Sequence, residues 1–172
     1  MKNKITRIIL VLGIIGANIG LDQWTKIWAR KTLQFHPAKS YWNDFFKLLY
    51  VENKGAFLSL GSDLPDGIRS LLLHVFPVVL LGGITLYTMF SKAINKWQVI
   101  GMSFIIGGGV SNVYDRILFG SVTDFMNMGL FGIRTGIFNV ADMSIMVGLA
   151  FMLPFAFRKE KDTVEAISAE KE

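Results

Sequence analysis

Two short stretches place acids where an apolar run meets polar chain. In "FNVADMS" (138–144), Asn139 and Asp142 stand three residues apart at the opening of an apolar run that reaches residue 157. In "GGGVSNVYDR" (107–116), Asn112, Asp115 and Arg116 stand at i, i+3 and i+4 at the close of another. Either spacing gathers its members on one helix face. Asp22 and Lys26, again four apart, close the first apolar run, and Asp124 lies between the last two. A charged side chain at bilayer depth costs roughly 2.5–3.5 kcal/mol on insertion scales, so such residues inside a bundle read as a functional site.

The chemistry open to these residues is narrow. The chain has no cysteine, which removes thiolate nucleophiles, disulfides and cysteine metal sites together. A serine nucleophile needs a base, and the two histidines, His36 and His74, are remote in sequence from the cluster. The stretch "GVSN" lacks the closing glycine of a G-x-S-G turn, and no H-E-x-x-H helix is present. Gly107, Gly108 and Gly109 sit inside an apolar run and fit no phosphate loop, so they read as close helix packing, as do Gly16 and Gly20. No metal and no cofactor is expected. Paired carboxylates remain. Two aspartates held close share one proton, so the ionised one can take a proton from water while the protonated one polarises a scissile carbonyl. That amounts to peptide hydrolysis by general acid–base chemistry alone. Asp142, with Asn139 to orient it, is one candidate. Asp124 and Asp115 compete for the other place, and residue types alone leave them level. Asp115 directly precedes Arg116, which suggests an ion pair between them, as Asp22 suggests one with Lys26.

The elements that must position these groups are membrane helices. The 172 residues are 52% hydrophobic and only 18% charged, against about 25% charged in ordinary soluble domains. Four apolar runs approach the ~20 residues a bilayer requires, at about 5–28, 68–90, 97–118 and 138–157. The first could be taken for a signal peptide, but no A-x-A site follows, and an uncleaved helix is expected. The net charge of +5 sits mainly in short polar segments, which points to membrane orientation rather than nucleic-acid binding. Lys2, Lys4 and Arg7, then Lys92 and Lys96, then "RKEK" put both termini and the middle link in the cytoplasm. The cluster then falls at the outer ends of the helices. Two outer loops look structured. "FFKLLYVENKGAFLSLG" is β-prone on both sides of a turn in which Gly55 supplies positive φ, and "GSVTDFMNMG" alternates as an extended segment. Residues 159–172 are polar and expected to fray. A small proton-coupled transporter is the rival reading, since it would use the same acids as a relay.

Together, "LDQWTK" (21–26), "VENKGAF" (51–57), "GGGVSNVYDR" (107–116), "GSVTDF" (120–125) and "FNVAD" (138–142) resemble the signature blocks of lipoprotein signal peptidase, or signal peptidase II, in order and spacing. The resemblance implies an aspartyl endopeptidase of the bacterial inner membrane that cuts signal peptides from diacylglyceryl-modified prolipoproteins, just before the lipidated cysteine. It implies Asp124 and Asp142 as the catalytic dyad. Asp22, Asn53, Gly55, Asn112, Arg116, Asn139 and Ala141 would then surround the substrate or support the dyad, with Lys26 and Asp115 in the same blocks. It also implies a four-helix transmembrane bundle with a small extracytoplasmic β-cradle and a short periplasmic helix. Residues 1–158 would form one integral membrane domain, probing lipid and prolipoprotein but no nucleic acid, and working as a monomer.

Overall fold

The computed structural model describes residues 3–55 and 64–169, and their side chains except at 66 and 157–169. It is mostly helical with one small antiparallel sheet. Helix α1 (Lys4–Thr32) starts where the Asn3 side chain accepts from Ile5 N and ends with Arg30 and Lys31 in its last turn, where the helix dipole favours cations. Its buried residues are Arg7, Val11, Asn18, Asp22, Lys26 and Ala29, spaced three, four or seven apart as one stripe. Four of these six are polar or charged, while Ile5, Ile9, Leu12 and Trp24 are exposed. A helix that hides its polar residues and bares its apolar ones needs apolar surroundings.

A second long helix is built from α2 (Asp66–Ser70), a π-helical turn (Leu71–Val75) and α3 (Phe76–Phe90). Pro77 explains the wide turn, because it has no N–H to return to the preceding turn and its ring crowds the carbonyl there. The far end of α3 is closed by Arg7, whose Nε donates to Thr88 O at 2.8 Å and whose Nη1 donates to Ser91 O. Helix α4 (Lys96–Phe119) opens on an Asn95–Gln98 capping box and stops at Gly120, whose φ of +73° suits a residue without Cβ. Helix α5 (Val140–Ala169) carries Pro154 in its interior.

Helix α4 packs against α1, α3 and α5. It meets α5 most closely at Gly108, where a Cβ would overlap the Ala141 carbonyl oxygen. Among the described residues two helices are long and apolar enough to cross a membrane, Lys4–Thr32 and Gly67–Phe90, and Val140–Ala156 is a shorter apolar helix. Helix α4, expected as the third span, carries Ser103, Ser111, Asn112, Asp115 and four buried or tightly packed glycines.

The sheet runs β1 (Lys39–Tyr41), β2 (Phe46–Asn53), β3 (Val122–Leu130) and β4 (Ile133–Arg134) in that order, all antiparallel. The register sets Val51 opposite Asp124 and Asn53 opposite Val122, after an irregularity between Leu48 and Val51. Phe138 bridges Met126, which lashes the entry of α5 to β3. A small core of Ala29, Leu33 and Phe125 seats the sheet on the end of α1, with Leu48, Tyr50, Met126 and Val140 around it.

The extended reading of 120–129 matches β3. The expected hairpin about "ENKG" does not form in the described part, since β2 takes β1 and β3 as partners and the far side, from residue 56, lies outside the described residues. Residues 61–63 of the loop 61–67 lie outside them too. No separate short helix outside the long ones occurs among the described residues. The tail expected to fray continues α5 as helix to Ala169, as its alanines, glutamates and lysines favour.

Candidate active site

The entry to α5 is a capping box made with an acid. The Asn139 side chain accepts from Asp142 N at 3.0 Å, and Asp142 Oδ2 accepts from Asn139 N at 3.1 Å. This reciprocal pair is the usual way to satisfy orphan donors at a helix start. It also holds the Asp142 carboxylate still. Its other oxygen, Oδ1, accepts from Asn112 Nδ2 at 2.9 Å.

Asp124 reaches the same place from β3. Its Oδ1 accepts from Asn139 Nδ2 at 2.7 Å and its Oδ2 from Asn53 Nδ2 at 3.1 Å. Asn139 is thus bonded to both carboxylates, through its amide to one and its backbone to the other. Burial pushes the Asp124 carboxyl up to about 6, and the nearby charge of Asp142 adds to this against the hydrogen bonds from Asn53 and Asn139. An acid with this value is half-protonated at about pH 6 and so keeps its proton far more readily than an ordinary aspartate, as a dyad sharing a proton requires.

Behind the two aspartates lies a buried ionic cluster. Lys26 Nζ is 2.7 Å from Asp22 Oδ2, 2.8 Å from Asp115 Oδ2 and 2.8 Å from Asn112 Oδ1. Lys26, Asp22 and Asp115 are all fully buried. Asp22 Oδ1 accepts from Ala141 N at 2.8 Å, which joins α1 to the first turn of α5. The expected Asp115–Arg116 pair is not made. Adjacent residues point to different sides of a helix, and Asp115 turns to Lys26 and, at 3.5 Å, to Arg30. Arg116 instead donates from Nη2 to Gly55 O at 2.8 Å, while Gly55 N donates to Asn53 Oδ1.

A cleft of about 500 Å³ opens beside the aspartates, within the size range of ligand sites. Asn53, Asn112, Arg116, Asp124 and Asp142 line its polar end. Its walls are apolar, from Leu72, Phe76 and Leu80 on the π turn and α3 to Ile145 and Met146 on α5. Asp22, Lys26, Asp115 and Ala141 do not line it; they lie behind. Among the described residues no group of three or more His, Asp or Glu is arranged to hold a metal ion.

The sequence matches the family described as signal peptidase (SPase) II, Peptidase_A8, over residues 14–158. The chain belongs to the signal peptidase II family. Relatives include the lipoprotein signal peptidase of Gloeobacter violaceus, 35% identical over 84% of this chain and 80% of its own length. That of Maridesulfovibrio salexigens is 33% identical over 87% and 96% respectively. Two solved bacterial membrane enzymes share the fold, with TM-scores of 0.76 and 0.73 at 21% and 23% identity, covering 88% and 85% of this chain and 90% and 91% of theirs. Membership of the signal peptidase II family makes this chain a peptidase and, together with its apolar helices, an integral membrane protein.

In this family member the site also uses residues that sequence reasoning missed. Gln23 Nε2 donates to Ser111 Oγ at 3.0 Å and Asp115 Oδ1 at 2.9 Å, and Ser111 Oγ donates to Asp22 Oδ2 at 2.7 Å. Arg30 Nε donates to Thr123 Oγ1 at 2.9 Å, beside Asp124. The signal was present: Gln23 is three before Lys26 and Ser111 four before Asp115, on helices whose polar residues are few.

Proposed function

We propose that this protein is a membrane aspartyl endopeptidase that removes signal peptides from diacylglyceryl-modified bacterial prolipoproteins, cutting before the lipidated cysteine. The observation that carries the reading is that Asp124 and Asp142 line one cleft whose remaining walls are apolar. Asp142, in the first turn of α5, where the helix dipole favours an anion, is the ionised member. It takes a proton from water as that water attacks the scissile carbonyl carbon. Asp124 gives its proton to the carbonyl oxygen, so a neutral tetrahedral diol forms without a covalent enzyme intermediate. Collapse of the diol returns one hydroxyl proton to Asp124, the proton on Asp142 passes to the leaving amine, and both carboxyls regain their starting states. Asn112, Asn139 and Asn53 hold the carboxylates, and Arg116 with Gly55 frames the entrance.

The apolar walls supply the lipid preference. Burying one CH₂ is worth roughly 0.8 kcal/mol, so acyl chains lying along Leu72, Phe76 and Met146 contribute much of the binding. The helices form a four-span bundle in the bacterial inner membrane, with both termini and the 91–97 link cytoplasmic and the cleft near the outer face. Lys92 and Lys96 in that link and the basic N-terminus support this orientation.

The test is incubation of purified protein with a diacylglyceryl-modified prolipoprotein peptide and its unlipidated counterpart, with products identified by mass. Cleavage directly before the lipidated cysteine, with much lower kcat/KM for the unlipidated form, is expected. No cleavage, or equal kcat/KM for both, overturns the reading.

A further inference from the structure

Successive residues of a strand point to opposite faces of the sheet, and residues opposed across a strand pair share one face. Val122 and Asp124 of β3, with Asn53 opposite Val122, lie on the face that lines the cleft. Thr123 and Phe125 belong to the other face, against the end of α1. There Phe125 meets Ala29 and Leu33, and Arg30 Nε donates to Thr123 Oγ1 at 2.9 Å. Glu52, opposite Thr123, accepts instead from Tyr50 Oη at 2.8 Å and Ser121 Oγ at 3.2 Å. It is the hydroxyl, not this acid, that Arg30 takes.

Strand pairing alone holds Asp124 loosely. The β2–β3 register is irregular between Leu48 and Val51, and Val51 is the residue opposite Asp124. Beyond Asp124, Phe125 N and Met126 N both donate to Phe138 O at the entry of α5. Before it, only Gly120, at a φ of +73°, and Ser121 separate α4 from β3. Arg30 spans this link. Its guanidinium lies 4.2 Å over the ring of Phe119, the last residue of α4, in cation–π geometry, and it bonds Thr123, the second residue of β3. Its Nη2 stands 3.5 Å from Asp115 Oδ1 but makes no hydrogen bond there. One side chain thus touches residues 115, 119 and 123, and its directed bond is the one to Thr123.

We propose that Arg30 is a positioning residue for Asp124. By clamping Phe119 and Thr123 across the Gly120–Ser121 link, it sets the Asp124 side chain toward Asn53, Asn139 and the cleft without touching substrate. This role presupposes that Asp124 acts in the proposed reaction. It differs from a simple ion pair with Asp115, which lysine would keep; the Nε bond and the flat stack on Phe119 need the guanidinium.

The variants Thr123→Val, Thr123→Ser, Arg30→Lys and Arg30→Lys/Thr123→Val separate position from stability. Valine has nearly the shape of threonine and favours strands, so Thr123→Val removes the hydroxyl and keeps the fold. For each protein, kcat and KM are measured with a diacylglyceryl-modified prolipoprotein peptide. The pH midpoint of Asp124 is read from the melting difference between each protein and its own Asp124→Asn form. Thr123→Val and Arg30→Lys should each lower kcat by roughly ten- to a hundredfold, as displacement of a catalytic group does, with KM nearly unchanged. The double variant should be no slower than either single one, because both break the same bond. Thr123→Ser should keep the parental kcat. Asp142, Lys26 and Arg116 still face Asp124 in all of these proteins. Its midpoint should therefore rise in Thr123→Val, as the bonds from Asn53 and Asn139 loosen, and stay in place in Thr123→Ser. Parental kcat in Thr123→Val or Arg30→Lys, reductions that multiply in the double variant, or an equally slow Thr123→Ser overturns the proposal. Should the unaltered chain cut nothing, the reaction itself fails and the midpoint alone decides the positioning: a rise in Thr123→Val but not in Thr123→Ser supports it, and no rise overturns it.

Discussion

Lys26 Nζ stands 2.8 Å from Asn112 Oδ1, and this contact decides which way the Asn112 amide faces. A cation meets only the oxygen, and the same oxygen accepts from Asn139 Nδ2 at 3.1 Å. The Asn112 amino group is left to donate to Asp142. A lysine on α1 thereby sets the hydrogen bonding of an aspartate on α5 that it does not touch.

Substituting Lys26→Met should therefore do two things. It strands Asp22 and Asp115 without their shared cation, and breaking a buried ion pair costs about 3–5 kcal/mol. It also frees the Asn112 amide to turn. A lower melting temperature, with reduced kcat in the fraction still folded, is expected. Lys26→Arg should rescue little, because three ammonium donors meet three oxygens here and a planar fork does not fit that arrangement. Melting curves and single-turnover rates for both variants check this; an Arg variant with normal stability and rate contradicts it.

Gly108→Ala tests the seam between α4 and α5. The added methyl must push away the Ala141 carbonyl, one residue before Asp142. Overpacking of this kind costs typically 1–3 kcal/mol, and here the displaced group carries a proposed catalytic residue. Cleavage should fall more than stability does. Unchanged cleavage with a lowered melting point would separate the seam from the site.

The pH dependence follows from Asp124. Its carboxyl titrates at about 6 in the fold, against about 3.9 in an unfolded chain. Between those values the folded state holds more protons, so this group's contribution to stability declines as pH rises from about 4 to about 6 and is level above. The stability of Asp124→Asn relative to the parent should rise across that window by of order 3 kcal/mol and then stay flat. If the protonated form of Asp124 is the acid, kcat/KM should fall as pH rises past about 6, an apparent value that belongs to the pair. Denaturation midpoints and a pH–rate profile test both, and a difference in stability that is constant from pH 4 to 7 contradicts the assignment.

Much of the site was legible because polar residues at helical spacing stand out in apolar runs. Asp22 with Lys26, Asn112 with Asp115, and Asn139 with Asp142 are visible in the one-dimensional pattern, and the alternation of 120–129 marks β3. The choice of Asp115's partner was not legible. Arg116 is its neighbour in sequence, yet a cation two helices away in the chain is its neighbour in space. Nor was the pairing of β2 with β3, which depends on contacts over some seventy positions. The cleft walls escaped for a different reason: Leu72, Phe76 and Met146 look like any lipid-facing residues until the Pro77 turn and the sheet set them beside the aspartates.

The central claim is that Asp124 and Asp142 carry out hydrolysis while Asp115 holds the bundle together. The most direct measurement is single-turnover cleavage of a diacylglyceryl-modified prolipoprotein peptide by purified Asp124→Asn, Asp142→Asn and Asp115→Asn, each beside its own melting curve. The account predicts that the first two remain folded, still bind the peptide and nearly lose turnover, whereas Asp115→Asn loses thermal stability along with activity. A folded Asp115→Asn that is inactive, beside an Asp124→Asn of near-normal turnover, would contradict it and move the second catalytic place to Asp115.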